Sequence, residues 1–355
     1  MSEHEHPALT RLRDRVRDAA ARRAPLVIRA GGTKDFYGNA ASGEPLDPRD
    51  YAGIVDYAPT ELVVTVRSGT PLADLEAALA ERHQMLPFEP PHFGAGATIG
   101  GAVAAGLSGP RRVAAGSLRD FVLGASVIDG RGDVLAFGGR VMKNVAGYDM
   151  ARTLAGSLGT LGVLVDLSIK VLPRPVAERT LAFNMDEATA IRRLNEWGGQ
   201  PLPVSASAWF DGELRVRLSG ARAAVDAAQT KLGGRVVDDA ERWWTDLREQ
   251  RHPYFAGSGA LWRLAVAPTT PPLGLGASLI EWHGGQRWVR GEQQATELRA
   301  RCAAASGHAT RFRGGDARVP AFQPLEPAVA RLNARLKAEF DPAGIFNSGR
   351  MFPAN

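Results

Sequence analysis

The sequence predicts an α+β protein of two domains, and three observations support this. The chain has 355 residues, a length typical of two domains. Its first half has strands and glycine turns that lead into helices. After Pro173 and Pro175 the predicted order changes to β-α-β-β-α-β, the order of a ferredoxin-like sandwich. The change in pattern indicates a domain boundary at these prolines.

The first elements are predicted from local patterns. Apolar residues recur on one face over residues 8–23, which predicts a helix. The run "PLVIRAGGTKDFYG" predicts a short strand that enters a glycine turn. The run "LVVTVRSGTP" alternates as a strand does, and it leads into a helix with Thr70 as its N-cap and Pro71 as its first residue.

The later elements follow in the same way. The segment "FVLGASVIDGRGDVLAFGG" predicts a hairpin with Asp-Gly at its turn. Residues 176–318 predict a ferredoxin-like sandwich with additional strands. These strands lie within the same range and include a hairpin that turns at Gly284 and Gly285. Residues 319–355 predict an amphipathic helix and a turn that pack back on the first domain.

Composition excludes several classes of protein. The single cysteine, Cys302, excludes an internal disulfide framework and any thiolate-held zinc or iron-sulfur cluster in this chain, and it indicates a cytosolic compartment. Residues 1–25 mix acidic and basic side chains and do not form a secretory signal. The most apolar glycine-rich run, 97–109, is too short to span a bilayer, so we expect no membrane insertion.

Charge and known motifs exclude further functions. The net charge of +5 is spread over the chain without a basic run interleaved with aromatic residues, so we expect no nucleic-acid binding. The seven histidines are scattered, so we expect no metal site. The run "GAGATIG" (94–100) has the wrong glycine spacing for a dinucleotide fingerprint, and neither a Walker loop nor a G-x-S-x-G elbow occurs.

Three glycine-rich segments remain, each with alternatives that its residues leave open. The turn "RAGGTKDFYG" (29–38) forms either a backbone nest for pyrophosphate or an ordinary left-handed turn. The run "ATIGGAVAAGLSGPRR" (97–112) forms either a cofactor wall or a tightly packed helix. The run "KNVAGYDMARTLAGSLGTLGVL" (143–164) brings its backbone close to a phosphate, a base or a neighbouring helix.

In this order and spacing, the three segments resemble the FAD-binding domain of the vanillyl-alcohol oxidase and p-cresol methylhydroxylase (PCMH) superfamily. The runs "TIGGAVAAGLSGPRRVAAGSLRDFVLGASVIDGRGDVL" and "KNVAGYDMARTLAGSLGTLGVLVDLSIKVLPRP" are most similar to the glycolate oxidase and D-lactate dehydrogenase branch, in particular to the FAD-binding subunit of glycolate oxidase. The closing "FDPAGIFNSGRM" fits the same branch.

The resemblance implies a domain plan. It comprises an N-terminal helix over 1–24, a two-subdomain PCMH-type FAD-binding domain over 25–175, a ferredoxin-like cap domain over 176–318, and a C-terminal segment over 319–355 that returns to the FAD domain. Thr33 and Lys34 occupy the pyrophosphate turn, and no cysteine precedes Cys302. Because covalent members use a His or Cys tether, the resemblance implies non-covalent FAD.

The resemblance also implies which residues bind FAD. The first segment would hold the pyrophosphate, the second the flavin and pyrophosphate, and the end of the third the adenosine. Tyr148 and Arg111 would lie nearest the flavin ring, with structural hydrogen bonding as the alternative for each. The residues assigned to FAD are Ala30, Gly31, Gly32, Thr33, Lys34, Asp35, Ala97, Thr98, Ile99, Gly100, Gly101, Ser108, Gly109, Arg111, Arg112, Gly116, Ser117, Asp120, Tyr148, Gly162 and Val163.

One departure from the branch leaves the catalytic residues unassigned. Its 2-hydroxy-acid oxidisers carry a "GDGNxH"-type segment and paired histidines in the cap, whereas "SGHATRFRGGD" (306–316) holds only His308. Oxidation of a hydroxy acid needs a base for the hydroxyl proton. The chain is therefore either a flavin subunit that oxidises glycolate to glyoxylate or a non-catalytic electron-transfer or structural subunit. A binding module that has lost FAD is a third alternative.

Both flavin functions imply partners and a location. The partners would be a paralogous catalytic FAD subunit and an iron-sulfur subunit. If this chain is the non-catalytic subunit, the paralogous FAD subunit would bind the glycolate. Because this chain has one cysteine, any iron-sulfur relay must lie on another chain. The expected location is the cytoplasm, with a peripheral position at the inner membrane reached through the complex.

Overall fold

The computed structural model describes residues 6–139, 149–291 and 294–352. Up to residue 173 the helices are α1 (Pro7–Arg22), α2 (Leu72–Ala80), α3 (Ile99–Ala105), α4 (Arg112–Ala115) and α5 (Met150–Leu154). The strands are β1 (Leu26–Ile28), β2 (Glu44–Leu46), β3 (Ile54–Ala58), β4 (Val63–Arg67), β5 (Gln84–Met85), β6 (Val122–Ile128), β7 (Val134–Gly138), β8 (Val163–Lys170) and β9 (Leu172–Pro173).

The remaining elements form the cap and the C-terminal return. The helices are α6 (Glu187–Gly198), α7 (Arg222–Leu232), α8 (Ala240–Arg248), α9 (Ala295–Ala304) and α10 (Pro327–Phe340). The strands are β10 (Ala177–Asn184), β11 (Val204–Phe210), β12 (Glu213–Gly220), β13 (Arg235–Val236), β14 (Leu261–Ala265), β15 (Ser278–Glu281), β16 (Gln286–Arg290) and β17 (His308–Arg313).

The elements up to residue 173, called the flavin-type half below, form two subdomains. In the first, β1 pairs in parallel with β2, and α1 packs on them through residues such as Val16 and Leu26. In the second, an antiparallel sheet of order β3-β4-β8-β6-β7 packs against α2 and α3. The apolar stripe of α2 is fully buried, as its spacing predicts.

The start of α2 differs from the prediction. The helix begins at Leu72 with Pro71 as its N-cap, not at Pro71. The Thr70 hydroxyl does not cap it, since it donates to the Arg67 carbonyl at 2.7 Å and accepts from the Gly53 N–H at 2.8 Å. Tertiary contacts that a local pattern does not reveal therefore engage this hydroxyl.

The cap is one eight-stranded antiparallel sheet of order β13-β10-β12-β11-β15-β16-β14-β17. Its first four strands, with α6 and α7, have the order of a ferredoxin-like sandwich, which confirms the predicted fold class. The predicted additional strands form a second half with the same relative strand order, in which α9 fills the place of the second helix. The halves join where β11 pairs with β15.

The C-terminal segment returns to the first subdomain. The Leu26 N–H donates to the Ile345 carbonyl at 2.7 Å, and the Asn347 N–H donates to the Leu26 carbonyl at 3.0 Å. The buried Asp341 carboxylate accepts from the Ile345 N–H at 3.0 Å and from the Phe346 N–H at 2.8 Å. The chain end therefore extends the small β1–β2 sheet.

Two kinds of contact hold the cap on the flavin-type half. Tyr37 packs against Phe312 with ring centroids 5.2 Å apart, and Phe312 packs against Trp288 at 4.9 Å. Glu89 is mostly buried and lies between two guanidinium groups, those of Arg217 at 2.8 Å and Arg111 at 3.3 Å. Since Glu89 and Arg217 belong to different halves, this ion pair crosses the interface.

Candidate functional site

A cleft between the two flavin-type subdomains gathers residues from both. It encloses about 920 Å³, part of it open to solvent. The residues assigned to FAD that line it are Ala30, Gly31, Gly32, Thr33, Lys34, Asp35, Thr98, Gly100, Gly101, Gly162 and Val163. The three glycine-rich segments, which are distant in sequence, therefore contribute to one cleft.

The turn after β1 leaves backbone donors free at the cleft. Within the described residues, the N–H groups of residues 31–34 have no protein acceptor. Gly32 has a φ of 68° in the left-handed region. A Cβ on Gly31 would lie 1.6 Å from the Gly96 carbonyl oxygen, so only glycine fits there. Successive free N–H groups in a turn form a nest for an anion such as pyrophosphate.

The start of α3 forms part of the cleft wall, and the backbone N–H groups of its first residues are not free to bind a ligand. The Ile99 N–H donates to the Thr70 carbonyl and the Gly100 N–H to the Ser68 carbonyl. The Gly101 N–H donates to the Thr98 hydroxyl at 3.1 Å. A Cβ on Gly100 would lie 2.6 Å from the Ser68 Cβ. The small residues here therefore permit close backbone packing, and their N–H groups are already engaged.

Ser68 is a cleft residue that the sequence analysis did not assign. Ser68 is 2% exposed, and its Oγ has no hydrogen-bond partner among the residues that the structure describes. A buried hydroxyl without a partner costs free energy, so it indicates a group that the protein alone does not supply. A ribityl hydroxyl or phosphate oxygen of FAD would satisfy it, and the cleft therefore fits this cofactor.

Lys34 places a half-buried amine at the same turn. Its Nζ donates to the His92 carbonyl at 3.2 Å and lies 5.7 Å from the Phe93 ring centroid. Burial lowers the pKa of Lys34 to about 8, while the Glu249 carboxylate opposes this shift. A phosphate in the cleft would favour the ammonium form and raise this pKa again.

FAD affinity is expected to weaken above about pH 8 because of Lys34. Binding that requires the ammonium form takes up a proton above the pKa of the free protein, so affinity falls by up to roughly tenfold per pH unit. Lys34→Met is expected to bind more weakly and to lose this dependence. Fluorescence titration with FAD from pH 7 to pH 10 measures both. Lys231→Met on the exposed surface of α7 is the control, and an unchanged pH profile in Lys34→Met contradicts the assignment.

The backbone of the third glycine segment packs closely against neighbouring elements and also lines the cleft. A Cβ on Gly162, whose φ is 148°, would lie 2.4 Å from the Ile128 carbonyl oxygen. A Cβ on Gly106 would lie 2.8 Å from the Gly156 Cα. Gly159 and Gly162 also line the cleft. Gly162 therefore packs against the end of β6 and Gly156 lies against the C-terminal end of α3, so a neighbouring helix, one of the open alternatives, accounts for part of this segment together with the cleft.

The C-terminal return adds two more cleft residues that had not been assigned. Asn347 accepts from the Ile28 N–H at 2.8 Å and donates to the Leu158 carbonyl at 2.6 Å. Arg350 donates to the Asp35 carbonyl at 3.0 Å and to the Lys34 carbonyl at 3.2 Å. The resemblance of "FDPAGIFNSGRM" was the available sequence signal, although it did not identify these side chains.

Arg111 lies outside the residues that line the cleft. Its guanidinium contacts Glu89 at 3.3 Å and Glu178 at 2.6 Å, and it donates to the Ser219 hydroxyl at 3.2 Å. These partners match the structural alternative for this residue. Tyr148, the other side chain expected near the flavin ring, lies outside the described residues.

The other assigned residues also lie away from the cleft lining. Ala97 and Ile99 are buried in the core around α3. The Ser108 hydroxyl accepts from the Leu118 N–H at 2.9 Å. A Cβ on Gly109 would meet the Glu89 carbonyl oxygen at 2.4 Å. Arg112 lies over the Trp282 ring at 4.4 Å.

The loop after α4 caps a short 3-10 turn. The Ser117 N–H and hydroxyl both donate to the Asp120 carboxylate, at 2.9 and 2.7 Å. Gly116 ends α4 with a φ of 110°. The pKa of Asp120 lies below its ordinary value because the bonds from Ser117 outweigh the effect of burial. These contacts are structural, and FAD contacts of these residues remain predictions.

No histidine is among the described residues that line the cleft. No group of three His, Cys, Asp or Glu side chains that could hold a metal ion occurs within the described parts of the chain. Among the helices that the structure describes, none is both long and apolar enough to cross a bilayer. The arrangement provides anion-binding donors and a narrow cleft, and the titratable groups that line it among the described residues include Asp35 and Lys34.

Comparison with known proteins defines the class. A model of the FAD binding domain family matches residues 9–138. The structure of alkyldihydroxyacetonephosphate synthase superposes on 95% of this chain and 74% of its own chain, with a TM-score of 0.67 at 14% identity. The fold is that of a PCMH-type FAD-binding flavoprotein with a cap domain.

The family within that class follows from sequence similarity. The glycolate oxidase subunit GlcE of Escherichia coli is 47% identical over 342 residues, which cover 96% of each chain. The chain belongs to the GlcE family. The glycolate oxidase subunit GlcD of Bacillus subtilis is 32% identical over 161 residues, which cover 45% of this chain and 34% of GlcD.

Proposed function

We propose that this chain is the FAD-binding subunit of a glycolate oxidase complex, in which glycolate is oxidised to glyoxylate and electrons pass through FAD to partner subunits. The observation that carries the proposal is the similarity to GlcE along nearly the whole of both chains. The cleft supports it, since the turn donors, the unpartnered Ser68 hydroxyl and Lys34 together fit a dinucleotide-type cofactor.

Each cleft residue has a distinct part in this function. The N–H groups of residues 31–34 donate to the pyrophosphate, and Lys34 adds positive charge beside it. Asn347 and Arg350 hold the turn and the neighbouring strand in place. FAD, when bound, supplies the two-electron acceptor that the side chains of this chain lack.

A second candidate function is a non-catalytic electron-transfer or structural subunit beside a paralogous catalytic flavoprotein. The aromatic cluster at the cap interface favours it. Trp288, Phe312 and Tyr37 are buried and packed edge to face or tilted against one another, in the region where the cap meets the flavin-type half. Such packing leaves little space for a substrate at that interface.

Anaerobic addition of glycolate separates the two candidates. The flavin-loaded chain and the assembled complex are each mixed with glycolate, and acetate, which lacks the oxidisable hydroxyl, serves as the control. Loss of the visible flavin absorbance in the isolated chain supports direct catalysis. Loss in the complex alone supports the second candidate, which is the result that the aromatic interface leads us to expect. Unchanged spectra in both samples contradict the proposed function.

The proposal includes partners, a location and the mode of FAD binding. The partners are a paralogous FAD subunit and an iron-sulfur subunit, and the single buried Cys302 supports placing an iron-sulfur relay on another chain. We place the complex in the cytoplasm, peripheral to the inner membrane. FAD is non-covalent, because Thr33 and Lys34 stand in the turn where covalent members carry a tether.

A further inference from the structure

Helix α10 carries an apolar stripe that the described residues cover at one end only. Val329, Leu332, Leu336 and Phe340 follow one another at intervals of three, four and four residues, which places them on one helix face. Phe340 is 7% exposed, and Leu336 packs against the main core. Leu332 is 66% exposed and Val329 is 45% exposed.

The uncovered end includes the whole N-terminal part of the helix. Every residue from 327 to 335 is exposed. The C-terminal end is held by Lys337, whose Nζ donates to the Thr160 carbonyl at 2.6 Å and to the Phe346 carbonyl at 2.9 Å. Short helices without tertiary packing are marginal in water. The exposed turns therefore gain most from a surface that continues the core along the stripe.

The charge around the stripe distinguishes between two proteins that could cover it, a second copy of this chain and a different protein. Arg331 and Arg335 are exposed beside the stripe, and residues 327–335 hold no acidic side chain. A second copy packed by a two-fold axis would bring these arginines against their own counterparts, which costs free energy. A different protein with an apolar centre and an acidic rim would satisfy both the stripe and the arginines.

We propose that the exposed half of α10, residues 327–335, is the docking surface for a different subunit of the complex, one that presents an apolar groove with an acidic rim. The inference rests on the proposed function, because it takes its partner from the same complex. Val329 and Leu332 fill the groove, and Arg331 and Arg335 pair with the rim. Arginine is enriched among the interface residues that carry most of the binding free energy, and burial of Val329 and Leu332 would remove apolar area from water.

Co-purification of the complex tests the proposal. The tagged chain is co-expressed with the FAD and iron-sulfur subunits of the same glycolate oxidase, and the mass of the assembly is measured by light scattering after size exclusion. Leu332→Asp and the double variant Arg331→Glu/Arg335→Glu are each expected to reduce the co-purified subunits by roughly tenfold or more. Both variants are expected to keep the FAD content and melting temperature of the parent chain, since the altered residues are exposed.

Val176→Asp is the matched control, because Val176 is 76% exposed and lies outside the helices and strands. It is expected to assemble normally. A complex that forms equally well with Leu332→Asp and with the double variant overturns the docking surface and leaves the proposed function intact. A chain that is dimeric alone and becomes monomeric in Leu332→Asp overturns it in favour of a second copy. Absence of any complex with the unaltered chain overturns both proposals.

Discussion

Gly31→Ala is expected to weaken FAD binding strongly. The added Cβ would lie 1.6 Å from the carbonyl oxygen of Gly96, so the turn and the 94–97 loop must separate. Separation redirects the N–H groups of residues 31–34, which have no protein acceptor among the described residues and which we propose as the donors for the pyrophosphate. We expect FAD affinity to fall roughly 100-fold or more, about 2.7 kcal/mol. Fluorescence titration with FAD measures this loss.

Gly139→Ala is the matched control for this substitution. Among the described residues no heavy atom lies within 4 Å of a Cβ at Gly139, and its φ lies outside the left-handed region, so the added methyl group meets no obstacle in that part of the chain. This control is expected to bind FAD as the unaltered chain does. Circular dichroism of both variants shows whether the fold persists. A folded Gly31→Ala variant with unchanged FAD affinity would show that the turn after β1 does not hold the pyrophosphate.

Glu89→Gln is expected to destabilise the chain by about 3–5 kcal/mol, because it removes the carboxylate that pairs with the buried Arg217 and leaves Arg111 with Glu178 alone. The side chains of Arg111 and Arg217 are 9% and 8% exposed. The amide keeps the shape of the side chain, so the effect reports charge and not packing. Denaturant unfolding at pH 7 measures it, with Asp316→Asn in the exposed pair with Arg318 as a control that is expected to change nothing measurable.

The effect of Glu89 is also expected to depend on pH. Burial would raise the pKa of Glu89, but the nearby Arg217 and Arg111 outweigh it and hold the pKa below its ordinary value. A carboxyl with a lowered folded-state pKa contributes stability above its unfolded pKa and loses it as the pH falls through the folded value. The stability difference between the unaltered chain and Glu89→Gln is therefore expected to shrink below about pH 4. A constant difference down to pH 2 contradicts the ion-pair explanation.

The parts of the site that local sequence predicts are those built from one turn of chain. The turn at 30–35 and the strand start at 162–163 line the cleft. Both were predictable because glycine next to a strand permits a tight turn and a close approach of the backbone. The order of elements in the cap likewise follows from periodicity and turn residues. The fold class was predictable for the same reason.

The parts that sequence did not predict depend on distant contacts. Ser68 becomes a cleft residue because Gly100 packs on it, and Asn347 becomes one because the chain end joins β1. Arg111 follows a glycine segment that resembles a flavin site, yet its partners Glu89 and Glu178 lie on other elements. No local spacing reveals which distant carboxylate an arginine meets.

The second half of the cap also could not be predicted fully from local sequence. Its strands repeat the order of the first half, but β14 is followed by a long connection and not by a helix. The usual β-α-β-β-α-β pattern is therefore interrupted in sequence while the strand order persists in space. Strand pairing, which joins residues far apart in the chain, reveals the duplication.

FAD content after acid precipitation tests the central claim most directly. The purified chain is incubated with FAD, freed of excess cofactor by gel filtration and then precipitated with acid, and flavin is measured in the supernatant and the pellet. The cleft and the absence of a tether at Thr33 and Lys34 predict flavin in proportion to the chain, with all of it released into the supernatant. A chain that carries no flavin after gel filtration, or flavin that stays in the pellet, would contradict the account.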